Sequence, residues 1–169
     1  MIIGTLLLLF IKCERFVEVD DPNNQISQAT VFKDKATALS ALADVYANLR
    51  SNSVLDGSIS GAQFLTGCYS DELATITTQQ NGMKAFYDLT VLTTTPAVDD
   101  IWISTYRNIY AVNNIIEGIS RSGEYLDEST KNTLTGEALT IRALLHFYLS
   151  GLYGEVPYVE TTDYITNQN

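Results

Sequence analysis

The residues that could do chemistry in this sequence are few and scattered. His146 is the only histidine, and the sequence shows no partner that would make it a general base. We therefore interpret His146 as a packing residue at the flank of a helix. Cys13 and Cys68 lack the CxxC or Cys/His spacing of a metal or redox site, and Cys68 reads as a small buried side chain. The sequence predicts no metal and no cofactor.

Adjacent acidic residues include Asp20 with Asp21, Asp71 with Glu72, and Asp99 with Asp100. Neighbours in sequence point in different directions, so these pairs are more typical of helix caps and solvated surface than of an acid/base pair. The glycine-rich patterns that hold phosphate groups are absent. We predict no catalytic residue, and therefore no enzyme.

A cluster of aromatic, amide and carboxylate residues lies in the least regular part of the chain, between residues 69 and 92. Flat rings stack on sugars, while amides and carboxylates form hydrogen bonds to hydroxyl groups. These residues are the candidate ligand-binding set: Tyr69, Asp71, Gln79, Gln80, Asn81, Phe86 and Tyr87. Tyr87 and Asp71 are the first candidates. The alternative is that Phe86 and Tyr87 anchor this loop to the core.

Composition favours one compact domain and excludes one class of partner. The chain has 169 residues, 46% of them hydrophobic, which is enough for a sizeable core. Twenty acidic residues against ten basic ones give a net charge of −10, and the basic residues form no run. A nucleic-acid partner is therefore not expected.

Apolar spacing predicts a mainly all-α fold. Residues 31–50 form the first helix, capped by Asp34 or Thr30, and residues 62–77 a shorter one. We expect a loop over 78–95, with a short strand near 87–92. Pro96 behind a Thr95 cap begins the second long helix, which runs to residue 121. The third covers 128–153, lies antiparallel to the second, and ends at Gly154 before Pro157.

The third long helix carries apolar residues on two sides. One row contains Leu134, Ala138, Ile141, Leu145, Leu149 and Leu152, and the second contains Leu139, Ala143 and Phe147. Such a helix is expected to be covered on more than one side. If helices that follow in a longer protein supply the second cover, the second row will be exposed and the chain will be prone to aggregation.

Three motifs together resemble the SusD/RagB family. The strongest is E-x4-R-A-x3-F-x-L-x3-Y-G-E-V-P, a fairly specific pattern formed by Glu137, Arg142, Ala143, Phe147, Leu149, Tyr153, Gly154, Glu155, Val156 and Pro157. A second, W-x3-Y-R-x-I-Y-x2-N-N-I-I, begins at Trp102 and includes Tyr106. A third, C-E-R-F-V-E-V-D-x-P-N, begins at Cys13. The resemblance covers the chain from Cys13 to about Thr162, and the family's proteins are longer than this sequence.

The resemblance implies a non-enzymatic lipoprotein at the bacterial cell surface. Such a protein captures glycan, or another nutrient such as a peptide, for a TonB-dependent (SusC-like) outer-membrane transporter. It also implies antiparallel helix pairs like those of tetratricopeptide repeats, although no clean 34-residue repeat is present. The alternative is a helical-repeat adaptor for a protein or peptide. Exposed coplanar rings at Phe86 and Tyr87 would favour glycan capture, and a concave face lined by Tyr106 and Tyr110 would favour the adaptor.

The N-terminus has the organisation of an exported lipoprotein. Residues 1–12 form a signal peptide, because their apolar run is shorter than the roughly 18 residues that a membrane-spanning helix needs. Cys13 is the predicted lipidation site, although Lys12 stands where a small residue is usual. Residues 13–30 form a tether, and residues 31–169 form the helical domain. Contact with the membrane is expected through the lipid anchor only.

Overall fold

The computed structural model describes residues 28–74 and 82–168, and its regular elements in those ranges are all helical. The α-helices are α1 Gln28–Val31, α2 Lys35–Ser51, α3 Ala62–Tyr69, α4 Met83–Tyr87, α5 Pro96–Arg121 and α6 Glu128–Tyr153. Short 3₁₀ turns cover Gly123–Tyr125 and Thr166–Gln168. The all-α prediction is confirmed.

The first long helix begins later than its apolar spacing suggests. The carboxylate of Asp34 accepts hydrogen bonds from the backbone N–H of Ala36 (2.9 Å) and Thr37 (3.1 Å). This N-cap satisfies two of the free donors at the start of a helix and therefore fixes the start of α2 at Lys35. The predicted helix over 31–50 is thus divided, because the chain turns between α1 and α2.

The Thr95 cap was predicted correctly in position but not in chemistry. Thr95 precedes Pro96, which opens α5, yet its side chain forms no cap hydrogen bond. Its hydroxyl instead accepts a hydrogen bond from the backbone N–H of Leu92 (2.9 Å), so Thr95 closes the preceding turn. A Pro at the first helical position has no N–H to cap, which reduces the need for a side-chain acceptor.

Two elements between α2 and α5 differ from the predictions. The helix predicted over 62–77 ends at Tyr69, where the carbonyl of Gly67 accepts from the N–H of both Glu72 and Leu73 (each 3.0 Å). No strand forms at 87–92. The N–H of Thr90 instead bonds to the carbonyl of Ala85 (2.8 Å), and Leu89 adopts a positive φ of 58°. In both segments the turn that ends the preceding helix determines the backbone structure, and the local sequence pattern does not.

The long helices form one bundle in which α5 runs antiparallel to α6, as predicted. The hydroxyl of Tyr153, at the end of α6, donates to the carbonyl of Val98 near the start of α5 (2.6 Å). Helix α2 contacts this pair through Tyr46, whose hydroxyl donates to Glu137 of α6 (2.8 Å). The residues at the centre of the core are buried: Leu42, Val45, Ile109, Val112, Leu134, Leu145 and Leu149. Cys68 is buried as well, as expected.

One glycine of α5 lies directly against an aromatic ring. Gly118 faces Phe32, which is 4% exposed, and a Cβ added at Gly118 would lie 2.0 Å from a carbon of that ring. Only a residue without a side chain allows the ring to pack this closely on the helix backbone. The segment before α2 is therefore held on α5 by a direct contact between ring and backbone.

The second apolar row of α6 is exposed. Leu139 is 42% exposed, Phe147 is 71% exposed, and Ala143 lies between them on the surface. The expected exposure of these residues is confirmed. The described part of the chain therefore covers α6 on one side only. From Asn132 to Tyr153 the fully exposed residues of α6 carry no charge, because Arg142 is buried and Glu137 is half-buried and bonded to Tyr46. We refer to this surface as the uncharged face of α6.

Candidate functional site

The segment after α6 crosses the α5/α6 pair and is held there by side chains of both helices. We call residues 156–162 the strap. The hydroxyl of Tyr106 donates to the carbonyl of Pro157 (2.8 Å), and the side-chain amide of Asn113 donates to the carbonyl of Val159 (3.1 Å). Backbone groups that have no helical partner are thereby satisfied. Tyr106 and Asn113, which belong to the motif that begins at Trp102, thus attach the strap to the helices.

Arg142 is the central support of the strap. It is buried, and its guanidinium donates to Oδ1 of Asn113 (3.0 Å), to the carbonyl of Glu160 (3.2 Å) and to Oε1 of Glu160 (3.2 Å). A buried cation is costly unless its donors are paired, and here one acceptor comes from α5 and two from the strap. Arg142 therefore bridges three parts of the fold.

His146 occupies the next turn of α6 and touches the same strap. Its Nε2 accepts a hydrogen bond from the backbone N–H of Val159 (3.2 Å), and its Nδ1 lies 2.9 Å from the carbonyl of Arg142. Because a backbone N–H can only donate, Nε2 carries no proton and Nδ1 is the protonated nitrogen. Burial is the main cause that lowers the pKa of His146. Both nitrogens are occupied, as expected of a packing residue.

Aromatic rings form a continuous row beside this network. Trp102 lies 5.0 Å from Tyr153 and 4.8 Å from Tyr106, and the ring of His146 lies 4.4 Å from that of Tyr158, measured between ring centroids. Burial, followed by the charge of Asp99, raises the pKa of Tyr153 to about 12. These rings pack on one another and on the strap. Tyr106 is therefore half-buried and bonded to the strap.

An apolar cavity of about 290 Å³ lies where α3, α4, the start of α5 and the end of α6 meet. Its walls include Leu65, Phe86, Leu92, Val98 and Leu152. Phe86 is half-buried and packs against the core, which agrees with the alternative that it anchors the loop. Phe86 and Tyr87 are therefore not a pair of exposed coplanar rings.

The predicted ligand-binding residues are only partly brought together. Tyr69 is 53% exposed at the end of α3, and Tyr87 is 40% exposed at the end of α4, which contacts α3. Asp71 is exposed and has a positive φ of 60°. In the part of the chain that the structure describes, no hydrogen bond or ring contact joins these three side chains. Gln79, Gln80 and Asn81 lie outside the described residues, as does Cys13.

Two polar residues of the strap network were not among the candidate site residues, although Asn113 lies in the motif that begins at Trp102. Asn113 is fully buried among apolar neighbours on α5, and Glu117 accepts from the N–H and the hydroxyl of Thr162 (each 2.7 Å). A polar residue within the apolar stripe of a helix indicates a bonded partner, so Asn113 could have been found in this way. Within residues 28–74 and 82–168, no group of His, Cys, Asp and Glu is arranged to hold a metal ion.

The described fold is a helical scaffold in which the polar residues of α5 and α6 hold the strap. Comparison with known proteins names the family. Residues 16–169 match the SusD-like family described as "Starch-binding associating with outer membrane". The chain belongs to this SusD-like family, which confirms the resemblance of its motifs.

A curated relative supports the assignment. SusD-like protein P25 of Formosa agariphila is 25% identical over 154 residues, which is 87% of this chain and 28% of that protein. The chain thus spans 28% of the length of this relative. No solved structure matches the chain. Among the described residues, no helix has the length and apolar character needed to span a membrane.

Proposed function

We propose that this protein captures glycan at the bacterial outer membrane and has no enzymatic activity. The observation that carries the proposal is the family match over residues 16–169, because that family is described as starch-binding and associated with the outer membrane. Two exposed rings, Tyr69 and Tyr87, support it, since sugars bind to exposed aromatic rings. The polar groups of the α5/α6 pair hold the strap.

A binding titration tests the proposal. Soluble maltooligosaccharides, which are fragments of starch, are titrated into the full chain by calorimetry, and a set of peptides is titrated in parallel. We expect sugar binding that weakens about tenfold in Tyr87→Ala, because an exposed ring that stacks on the ligand is a binding hot spot. Tyr164→Ala is the matched control, since Tyr164 is 69% exposed on another part of the chain. Equal affinity of both variants would reject Tyr87 as a contact.

We further propose that Cys13 is lipidated and that the protein delivers its ligand to a TonB-dependent transporter. A lipid anchor attaches a chain to a membrane without a spanning helix, and two or more acyl chains make the attachment stable. Expression of the full chain and of Cys13→Ala in a bacterial host, followed by detergent partition and mass spectrometry, tests the anchor. A water-soluble, unmodified Cys13 protein would reject it. Co-purification with a TonB-dependent barrel tests the delivery partner.

A helical adaptor for a protein or peptide is the second candidate function. The uncharged face of α6 favours it, because exposed apolar surface of this kind marks protein contacts. The same titration separates the two functions. An adaptor binds no oligosaccharide in any variant and loses peptide binding in Phe147→Lys, whereas a glycan-capture protein retains sugar affinity in that variant.

A further inference from the structure

The side chain of His146 has no part in the proposed ligand binding, yet it is the only titratable imidazole and it bonds to the strap. Its Nε2 receives the backbone N–H of Val159 (3.2 Å), and its Nδ1–H is directed to the carbonyl of Arg142 (2.9 Å). Only the bond from Val159 depends on the neutral ring, because a protonated ring keeps its Nδ1–H and can still donate it to Arg142. A protonated ring would place a second N–H in front of the N–H of Val159.

The charged and titratable groups around His146 come from three elements. From α6, Arg142 opposes protonation by its charge, and from the strap, Glu160 favours it. The ring of Tyr158 on the strap packs against the imidazole at 4.4 Å with a tilt of 50°, and Tyr106 of α5 meets it edge-on at 6.5 Å. The carboxylate of Glu160 already pairs with Arg142, so its charge is shared. Burial is the largest effect, and it favours the neutral ring.

We propose that the strap is a pH-sensitive element, attached at Val159 while His146 is neutral and released there when His146 gains a proton. The other attachments do not require a neutral histidine. Glu117 holds Thr162 by two bonds of 2.7 Å, and Tyr106 holds Pro157 at 2.8 Å. Release is therefore local and frees the N–H of Val159, while the carbonyls of Val159 and Glu160 stay bonded to Asn113 and Arg142.

The pH range follows from the direction of the pKa shift. The pKa of His146 lies below its ordinary value of 6.5 in the folded protein. The unfolded or released form therefore binds a proton first as the pH falls. Attachment is at full strength above pH 6.5 and weakens as the pH falls toward the folded pKa. One proton taken up on release changes the release equilibrium by up to about tenfold per pH unit in this range.

Hydrogen exchange of the full ¹⁵N-labelled chain between pH 7.5 and 5.0 tests the proposal. We expect the protection factor of the Val159 amide to fall by up to about tenfold per pH unit below pH 6.5. The amide of Thr162, bonded to Glu117, should stay protected and serves as the internal reference. The imidazole signals of His146, followed in the same sample, should titrate below pH 6.5. Constant Val159 protection while His146 titrates would overturn the proposal.

Two variants identify the titrating group. In His146→Phe, Val159 should be weakly protected at every pH, and a remaining fall below pH 6.5 would overturn the proposal. Glu160→Gln removes the neighbouring carboxylate and should keep the pH-dependent fall, because His146 is retained. Loss of the fall in this variant would assign the response to Glu160 instead. If His146→Phe does not fold, the wild-type protein tests the proposal alone. Its Val159 protection factor must then fall over the pH range between the His146 pKa and 6.5, and a constant protection factor overturns the proposal.

Discussion

Replacement of Gly118 by alanine should destabilise the protein, although alanine is the better helix former. In an open helix position this exchange gains up to about 1 kcal/mol, because glycine has the larger backbone entropy in the unfolded chain. At Gly118 the added Cβ would lie 2.0 Å from the ring of Phe32, a distance that real Cβ contacts do not reach. The ring must therefore move.

The free-energy cost of moving the ring decides whether Gly118→Ala stabilises or destabilises the protein. Phe32 is 4% exposed, so its ring cannot move to a free position without disturbing the core. Overpacking of a filled core costs about 1–3 kcal/mol, which exceeds the helix gain. Gly136→Ala is the matched control, because Gly136 is exposed within α6 and its added Cβ meets nothing within 4 Å. We expect the two variants to differ by about 2 kcal/mol in the free energy of unfolding, with Gly118→Ala below wild type.

Urea unfolding followed by circular dichroism measures both variants against wild type. A double variant with Phe32→Leu should recover part of the loss, because a smaller side chain leaves room for the new methyl group. Equal stabilisation by Gly118→Ala and Gly136→Ala would refute the reasoning, since it would mean that Phe32 does not lie on the α5 backbone in solution.

Two further predictions concern polar groups. Arg142→Met should lower the free energy of unfolding by about 2–3 kcal/mol, because it leaves the buried Oδ1 of Asn113 and the carbonyl of Glu160 without their donor; unchanged urea unfolding would contradict this role. The N–H and hydroxyl of Thr130 lower the pKa of Asp127 below 3.8, so its contribution to stability is present above that pH and is lost as the pH falls through the lowered pKa. Asp127→Asn should therefore make urea stability less dependent on pH between 5 and 3, and an unchanged pH dependence would argue against the cap.

The long helices could be predicted because their signals are local. The bounds of α6, Glu128–Tyr153, follow from apolar spacing and from Gly154, whose φ of 81° suits glycine alone. The segment 87–92 was predicted as a strand from a short apolar pattern, and the helix-ending turn at Leu89 determines its structure instead. Short patterns carry too little information to outweigh such a turn.

The strap network could not be predicted because its bonds join distant parts of the chain. Tyr106 and Pro157 are 51 residues apart, and Asn113 and Val159 are 46 apart. Their approach depends on the antiparallel packing of α5 and α6, which fixes the facing residues. The candidate ligand surface is harder to predict than the strap network. Exposed rings such as Tyr69 and Tyr87 have no ring contact or hydrogen bond in the described structure that would indicate their role.

The uncharged face of α6 has a consequence for the colloidal behaviour of the protein. At neutral pH the net charge of −10 makes the molecules repel one another, although α6 presents some 22 residues, or about 33 Å of helix, in which the half-buried Glu137 is the one accessible charge. Near the isoelectric point of about 4.3 that repulsion disappears. The face is then free to associate with its counterpart on another molecule. Solutions of the protein should therefore become turbid on acidification, and Phe147→Lys should keep them clear to a lower pH.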